Sequence, residues 1–477
     1  NTVITNTNLS NTILVGADLS NVVLIGTTLT GADLTGANLT GITVIGNDLT
    51  DTILSDVNLT DASLVGVDLS GRDLTGTILR GVSFTDANLA GVDLSGRDLT
   101  GAILRGVDLS SKDLTGTILR GANLSNSVLT DVSLSGKDLT GAILRGVDLT
   151  GKDLTGTILR GADLTDANLA GQDISDHDLT DVILVGADLS NSLLPDNGLS
   201  EKNFERTIFN MVDLSGKDLT EAIFDCVSDF SYYYLEFVSA HCINFVDTNL
   251  ENANLGGASF VNTDLTKIKN KSLAGADLSA ASFAYSDLSG VDLDNVTIVR
   301  TNFVETNLSG QDFTVVSNTQ IYGVIFISSN LSNANFEGMA IGFDGIMLKI
   351  VFKNKAHLKI LPPAEMKDEL FGTGRVLITS SAVSGNDLIV QHVFYNDFRG
   401  ANLENANFKN TDLKFANFYQ ANLTNADLSG ADLTRAFFKN ANLTNANLEG
   451  ADLQNVILDN AILSNANLGC VNHQICD

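Results

Sequence analysis

From Leu9 the chain places an apolar residue at every fifth position: Leu9, Leu14, Leu19, Leu24, Leu29, Leu34 and Leu39. The series runs to Phe224, with Val44, Phe84, Ile174, Phe204 and Phe209 as substitutes. A period of five fits neither the helical repeat of about 3.6 nor the strand repeat of about 2. Two residues before each central apolar residue stands a small one such as Ala17, Ala32, Ala37 or Val67. Between them is often Asp or Asn, as at Asp18, Asp33 and Asn38. Ser or Thr and then Gly usually follow, so the unit reads A-(D/N)-L-(S/T)-G. In an extended segment the small residue and the Leu point the same way. The remaining residues are turn formers, able to bend the chain after each unit. Four such sides close a square coil of about 20 residues, stacked on the next at strand spacing. Leu fills the axis, and the Asp or Asn faces outward.

This repeat resembles the pentapeptide-repeat family over more than four fifths of the chain. The resemblance implies an all-β fold, a right-handed quadrilateral parallel β-helix, here with one inserted β-rich or α+β element. About 80 units correspond to about 20 coils and a rod on the order of 100 Å.

The phase of the repeat divides the chain. Residues 1–224 form one uninterrupted run. One extra residue then shifts the register to Phe230, Leu235 and Phe245, and residues 225–342 continue the helix with two three-residue insertions. Residues 343–393 lack the repeat and are expected to be the one true insertion. There, "LKIVFK", "HLKIL", "RVLIT" and "LIVQHV" are predicted as short strands and "AEMKDELF" as a short helix. Lys349, Lys353, Lys355 and Lys359 make its first half locally basic, either as a solvated face or as a module that grips an acidic surface. Residues 394–477 return to the repeat and end in a cysteine-bearing tail.

Charge narrows the function. The net charge of −29 opposes direct binding to nucleic acid, whose phosphates need a basic surface. A hydrophobic fraction of 44% opposes disorder, and no apolar run reaches the roughly 18 residues of a membrane span. The chain starts at Asn1, which suggests a removed leader and an extracellular or cell-surface location, with the cytoplasm as the alternative. Cys226, Cys242, Cys470 and Cys476 are disulfide candidates whose pairing the sequence leaves open. The sequons at Asn8, Asn38, Asn58, Asn123, Asn307, Asn330, Asn422 and Asn442 arise from the repeat itself and carry little weight.

No motif for a catalytic nucleophile, a phosphate loop or a structural metal is present. The Asp residues are spread one per unit, and a solid β-helix leaves no cavity for a substrate. The chain is therefore expected to have no enzymatic activity and no cofactor. His473 between Cys470 and Cys476 fits a soft metal less well than a loop-closing disulfide does.

Two departures from the repeat stand out. Arg72, Arg97, Lys112, Lys137, Lys152 and Lys217 occupy the inward, small-residue position. On a 20-residue coil Arg72, Lys112 and Lys152 share one column and Arg97 and Lys137 the next, continued by Gln172, His177 and Asn197. An unpaired buried cation is costly. The stems are therefore expected to cross the wall or to force a bulge, with the following Asp (Asp73, Asp98, Asp113, Asp138, Asp153) as outer partner. These columns serve either to set register or as an anion or partner site. The second departure places Ile78, Ile103, Ile118, Ile143, Ile158 and Ile183 at the outward position, with Arg80, Arg105, Arg120, Arg145 and Arg160 close behind. An aligned Ile/Arg stripe suggests an interface. The competing reading is a stabilising cross-coil ladder.

Repeats in register from Ile4 to Leu468, without a capping helix, suggest stacking on another chain. Three functions follow. The first is a structural or protein-interaction solenoid, outside the cell, that binds itself or another surface protein. The second, implied by the family resemblance, is an acidic mimic of DNA that binds DNA gyrase. It needs an acidic face along the first 220 or so residues, which Arg80 to Arg160 are expected to interrupt. The third is weak calcium binding by Asp ladders.

Overall fold

The computed structural model describes residues 2–224, 245–261, 263–316, 323–339, 347–352, 377–384, 387–393 and 396–476. They fall into two compact units, Asn1–Asp213 and Leu214–Asp477.

Each unit is a stack of parallel coils. In the first, β1 (Val3–Thr5), β2 (Val23–Ile25) and β3 (Thr43–Ile45) pair side by side with Val3 on Val23 and Val23 on Thr43. Beyond them the sides shorten to single parallel bridges, such as Asp18 to Asn38 and Asn38 to Asn58. Every coil of the first unit thus advances by 20 residues. Corners fall every fifth residue and have positive φ, as at Gly31 (68°), Gly36 (66°) and Gly41 (65°). Glycine reaches this region without strain, and Asn and Asp tolerate it better than other residues. In the second unit Asn takes many of these corners: Asn405, Asn425 and Asn445 have φ near 58°. Their amides form a ladder, with Asn445 donating to Asn425 at 3.0 Å and Asn425 to Asn405 at 3.1 Å.

The two cores differ. Leu dominates the first unit. Its first coils enclose a narrow apolar void of about 30 Å³, lined from Ile4 and Leu9 to Leu64 and Leu69. The void belongs to coils built only from aliphatic residues, and Phe84 is the first aromatic residue of the chain. In the second unit Phe224, Phe260, Phe283, Phe303, Phe326, Phe398, Phe418 and Phe438 form one stacked column. Ring centroids are from 4.6 Å (Phe418 to Phe438) to 5.5 Å (Phe283 to Phe303) apart. Phe313, Phe336 and Phe408 form a second column at 4.5 and 4.8 Å. Offset-parallel rings at this spacing match the rise between coils.

The ladder also shows where chain leaves the stack. Asp218 bridges to Asn254, 36 residues on, and Ile223 to Ser259. The segment around 225–244 is therefore an interruption larger than the single extra residue expected, and 343–393 is not the only one. Phe230 and Leu235 keep the apolar phase, but Tyr232 and Phe237 stand where corners would fall. These residues, with Cys226 and Cys242, lie outside the described residues. The two three-residue insertions appear as ladder steps of 23 residues, at Asn254 to Asp277 and at Asn307 to Asn330. A short 3₁₀ turn, Lys269–Lys271, takes up the first.

The coil containing Ile325, Asn330 and Asn335 is bridged directly by Asp397, Asn402 and Asn407. The intervening chain thus leaves and rejoins the stack. Within it β4 (Met347–Phe352), β6 (Asp387–Val393) and β5 (Leu377–Ser384) pair antiparallel in the order β4-β6-β5. The predicted strand at "HLKIL", the helix at "AEMKDELF" and Lys353, Lys355 and Lys359 lie outside the described residues. Lys349 sits in β4 opposite Gln391.

Cutting the aromatic column should be costly, since large-to-small changes leave a cavity between fixed coils. Phe326→Ala is expected to destabilise the second unit by about 3–5 kcal/mol, and Phe326→Leu by clearly less. Denaturant unfolding followed by circular dichroism checks both.

Candidate interaction surfaces

The outward residues of the first unit sort into four faces, numbered in chain order. Face 1 runs Thr43, Ser63, Ser83, Ile103, Asn123, Ile143, Asp163 and Ile183. Face 2 contains Asp48, Asp68, Asn88, Asp108, Asp148, Asn168 and Asp188. Face 3 contains Asp33, Asp73, Asp93, Asp113, Asp153 and Asp173. Face 4 runs Asn58, Ile78, Asp98, Ile118, Asp138 and Ile158.

The Ile residues therefore lie on faces 4 and 1, but not as continuous stripes. Asp98 and Asp138 separate Ile78, Ile118 and Ile158, while Asn123 and Asp163 separate Ile103, Ile143 and Ile183. The Arg residues turn toward these acids. Arg80 reaches Asp98 at 3.6 Å, Arg120 reaches Asp138 at 3.6 Å, and Arg145 reaches Asp163 at 2.5 Å. Arg105 and Arg160 are exposed. The exposed pairs at Asp98 and Asp138 contribute little to stability, while Asp163 is itself buried. The pairs do organise faces 4 and 1 into an alternation of apolar and ion-paired positions.

The inward cations are held by main-chain carbonyls. Lys112 Nζ donates to Leu89 O at 2.6 Å and to Val92 O at 2.9 Å. Lys137 and Lys152 donate to Leu114 O and Leu129 O, each at 2.5 Å. The same step of 23 residues is used by neutral donors. Thr52, Thr77, Thr117 and Thr157 donate to Leu29, Leu54, Leu94 and Leu134 O, and Gln172 to Leu149 O. His177 Nε2 lies 3.0 Å from Leu154 O. Each Leu carbonyl already closes a turn within its own coil, as Val92 N to Leu89 O does. The inward side chain uses its second lone pair, so one recurring seam ties coil to coil.

This corrects the expected partner of the cations. Asp73, Asp98, Asp113, Asp138 and Asp153 accept instead from the amides of Thr75, Thr100, Thr115, Thr140 and Thr155. Neighbours along a strand point to opposite sides of the wall, so an inward Lys cannot reach the Asp that follows it. Arg72 finds Ser70 O at 3.3 Å and Asp51 at 3.5 Å. Arg97 Nε is buried with no hydrogen-bond partner. Lys217 is half-buried in the second unit. On face 3, above Arg72, Lys112 and Lys152, the bridges at Asp73, Asp93, Asp113, Ser133 and Asp153 are missing, so the wall opens to admit the long stems. Face 4 loses only alternate bridges: those from Asp98 to Ile118 and from Asp138 to Ile158 are kept, and those from Ile78 to Asp98 and from Ile118 to Asp138 are missing.

Lys202 is a further inward cation, buried and donating to Val182 O at 3.0 Å. It occupies the same repeat position, two residues before Phe204, and phase alone identifies it. Burial lowers the pKa of both Lys112 and Lys202, against the pull of Asp108 and Asp93 on the former and of Asp181 and Asp178 on the latter.

Faces 2 and 3 are acidic. Hydroxyl and then amide hydrogen bonds from Thr75, Thr115 and Thr155 hold Asp73, Asp113 and Asp153 below the usual carboxylate range. The amide and hydroxyl of Ser95 do the same for Asp93. These carboxylates stay ionised at neutral pH. No group of His, Cys, Asp and Glu suited to a metal ion occurs among the described residues, and no described helix is long and apolar enough to cross a membrane. In the second unit the structure joins Cys470 to Cys476, with Cα atoms 5.0 Å apart.

Two outcomes are expected. Lys112→Ala leaves the second lone pair of Leu89 O unpaired in the wall and should destabilise by about 1–2 kcal/mol, while Lys112→Thr, copying Thr117, should recover most of it. Urea unfolding measures the difference. Stability should also hold steady above the ordinary Asp value of 3.8 and fall as pH drops through the lower folded-state values, because the unfolded chain takes up protons first. Thermal melts across this acid range should show the loss, and Asp113→Asn, which keeps an amide acceptor, should lessen it.

The profile of the family "Pentapeptide repeats (8 copies)" matches residues 4–41, 48–81, 83–121, 108–146, 122–161, 162–195, 243–267, 272–310, 397–435, 421–460 and 436–469, well over half of the chain. No curated protein sequence matches. Among solved structures, a trypsin-treated QnrB1, described as a plasmid-mediated fluoroquinolone resistance protein, is 18% identical. That match covers 38% of this chain and 88% of QnrB1, with a TM-score of 0.20. HetL, a pentapeptide repeat protein involved in heterocyst differentiation regulation from the cyanobacterium Nostoc, is 20% identical, with 70% of this chain and 88% of HetL covered and a TM-score of 0.14. A pentapeptide repeat protein from the thylakoid lumen of Arabidopsis thaliana is 25% identical, with 27% and 70% covered and a TM-score of 0.09. Ladder, corners and profile agree: the chain belongs to the pentapeptide repeat family, whose fold is a right-handed β-helix.

Proposed function

We propose that this chain is a non-enzymatic interaction solenoid that binds proteins along its outer faces. The sorting of charge by face carries this reading. Asp residues dominate faces 2 and 3 of the first unit, while the stripe Arg residues stand at the ends of sides on faces 4 and 1 beside exposed Ile. A side-by-side contact between copies could set Arg105 and Arg160 of one against an acidic face of the other. An oxidising, extracellular setting suits a disulfide between Cys470 and Cys476. Sedimentation of the full chain over a wide concentration range is the test. Concentration-dependent association that weakens with salt is expected, and a single species insensitive to both would overturn a role built on self-association.

The same sorting favours a second reading. Arg80 to Arg160 do not interrupt faces 2 and 3, contrary to what the linear order suggested. Their carboxylates form two adjoining acidic surfaces that a cationic groove made for DNA would accept, as in DNA gyrase. A supercoiling assay tests it. Inhibition by the full chain, lost in a variant with Asp73→Asn, Asp93→Asn and Asp113→Asn, supports mimicry of DNA, and no inhibition at micromolar protein rules against it. Weak calcium binding by the same columns remains a separate proposal, checked by calorimetric titration with calcium chloride.

A further inference from the structure

Face 1 differs from the others in its first coils. Its outward residues there are Val23, Ile25, Thr43, Ile45, Ser63 and Val65, continued by Ser83 and Thr85. The first ionisable residue on this face is Arg105. No Lys or Arg occurs before Arg72, so no long cationic stem shields the face. Ile25, Ile45 and Val65 stand one above another in successive coils and are 38%, 51% and 48% exposed. The nearest acids in sequence, Asp61 and Asp86, sit at corners with φ of 56° and 54°, on the rim of the surface. In its first three coils the sides are also full three-residue strands, β1 to β3, paired in a parallel sheet.

We infer that this face, from Val23 to Thr85, is a docking surface for a second copy of the chain, packed sheet against sheet about a two-fold axis with Ile25, Ile45 and Val65 at its centre. The inference rests on the self-association reading above and gives it a location. Three observations select a second copy. On a chain of net charge −29, a two-fold contact that pairs an Asp-bearing face with itself sets like charges together, whereas this face paired with itself brings none. An oppositely charged partner would be drawn to faces 2 and 3 instead. A ridge of β-branched residues repeated once per coil is best complemented by a surface with the same repeat, which an identical face supplies. A two-fold contact is closed, so it yields dimers and not fibres.

The test uses the full chain in sedimentation equilibrium at physiological salt, with three variants. Ile45→Asp places a charge at the centre of the surface. A triple variant, Ile25→Thr, Ile45→Thr and Val65→Thr, removes the apolar ridge but keeps β-branched residues, so the coils remain favourable. Ile118→Asp places the same charge on face 4. A dimer is expected, with its dissociation constant raised at least tenfold by Ile45→Asp and by the Thr triple and left unchanged by Ile118→Asp. Thermal melts of all variants should match the parent. Association disrupted by Ile118→Asp but not by the face 1 variants would overturn the inference and leave the self-association reading standing on face 4. A chain that is monomeric at every concentration would overturn both.

Discussion

The structure depends on the main-chain ladder between coils. Each coil bonds to the next where the chain returns to the same side, which in regular coils takes 20 residues with a corner at every fifth. Two large interruptions break this rhythm, between Asp218 and Asn254 and between Ile325 and Asp397. In both, the ladder closes behind the departing chain, as Asp218 meets Asn254 and Ile325 meets Asp397. The fold thus tolerates insertions of very different length, because bonding between coils is local and each coil contacts only its neighbours.

The same constraint explains how cations enter the wall. Side-chain direction alternates along a strand, so an inward Lys faces the interior and cannot pair with the outward Asp beside it. The acceptors within reach are the Leu carbonyls of the coil below, which Thr and Gln use at the same step. Longer donors need more room, and face 3 loses its bridges above Arg72, Lys112 and Lys152. Register is then marked twice, by the ladder and by the seam. In a sequence this monotonous, a second marker opposes slippage by whole units.

The units reach a stable interior by different means. Aliphatic residues alone leave a thin axial void in the first coils, while stacked Phe rings fill the second unit, where Asn corners add an amide ladder. Buried Asp397 shows a further difference. Its carboxyl is pushed up by burial, against the opposing pull of Arg399 at 3.0 Å, and it lies where the interrupted chain rejoins the stack.

The sequence by itself determined the β-helix, its outward and inward positions, the three-residue insertions and the identity of most inward cations. All of these follow from a period of five and from the turn chemistry of Gly, Asn and Asp. It also placed Ile78, Ile118 and Ile158 on one face. What separates them, and what their Arg neighbours touch, depends on residues 18 to 20 positions away that meet only across coils. Tertiary structure alone decided that Asp98 and Asp138 break the stripe, that Lys112, Lys137 and Lys152 donate to carbonyls and not to the Asp that follows each, and that the acidic faces escape the Arg residues. It also decided that Asp218 meets Asn254, 36 residues on, and not a residue one coil of 20 ahead. A linear repeat states which way a side chain points; its partner is set by the stacking of the next coil.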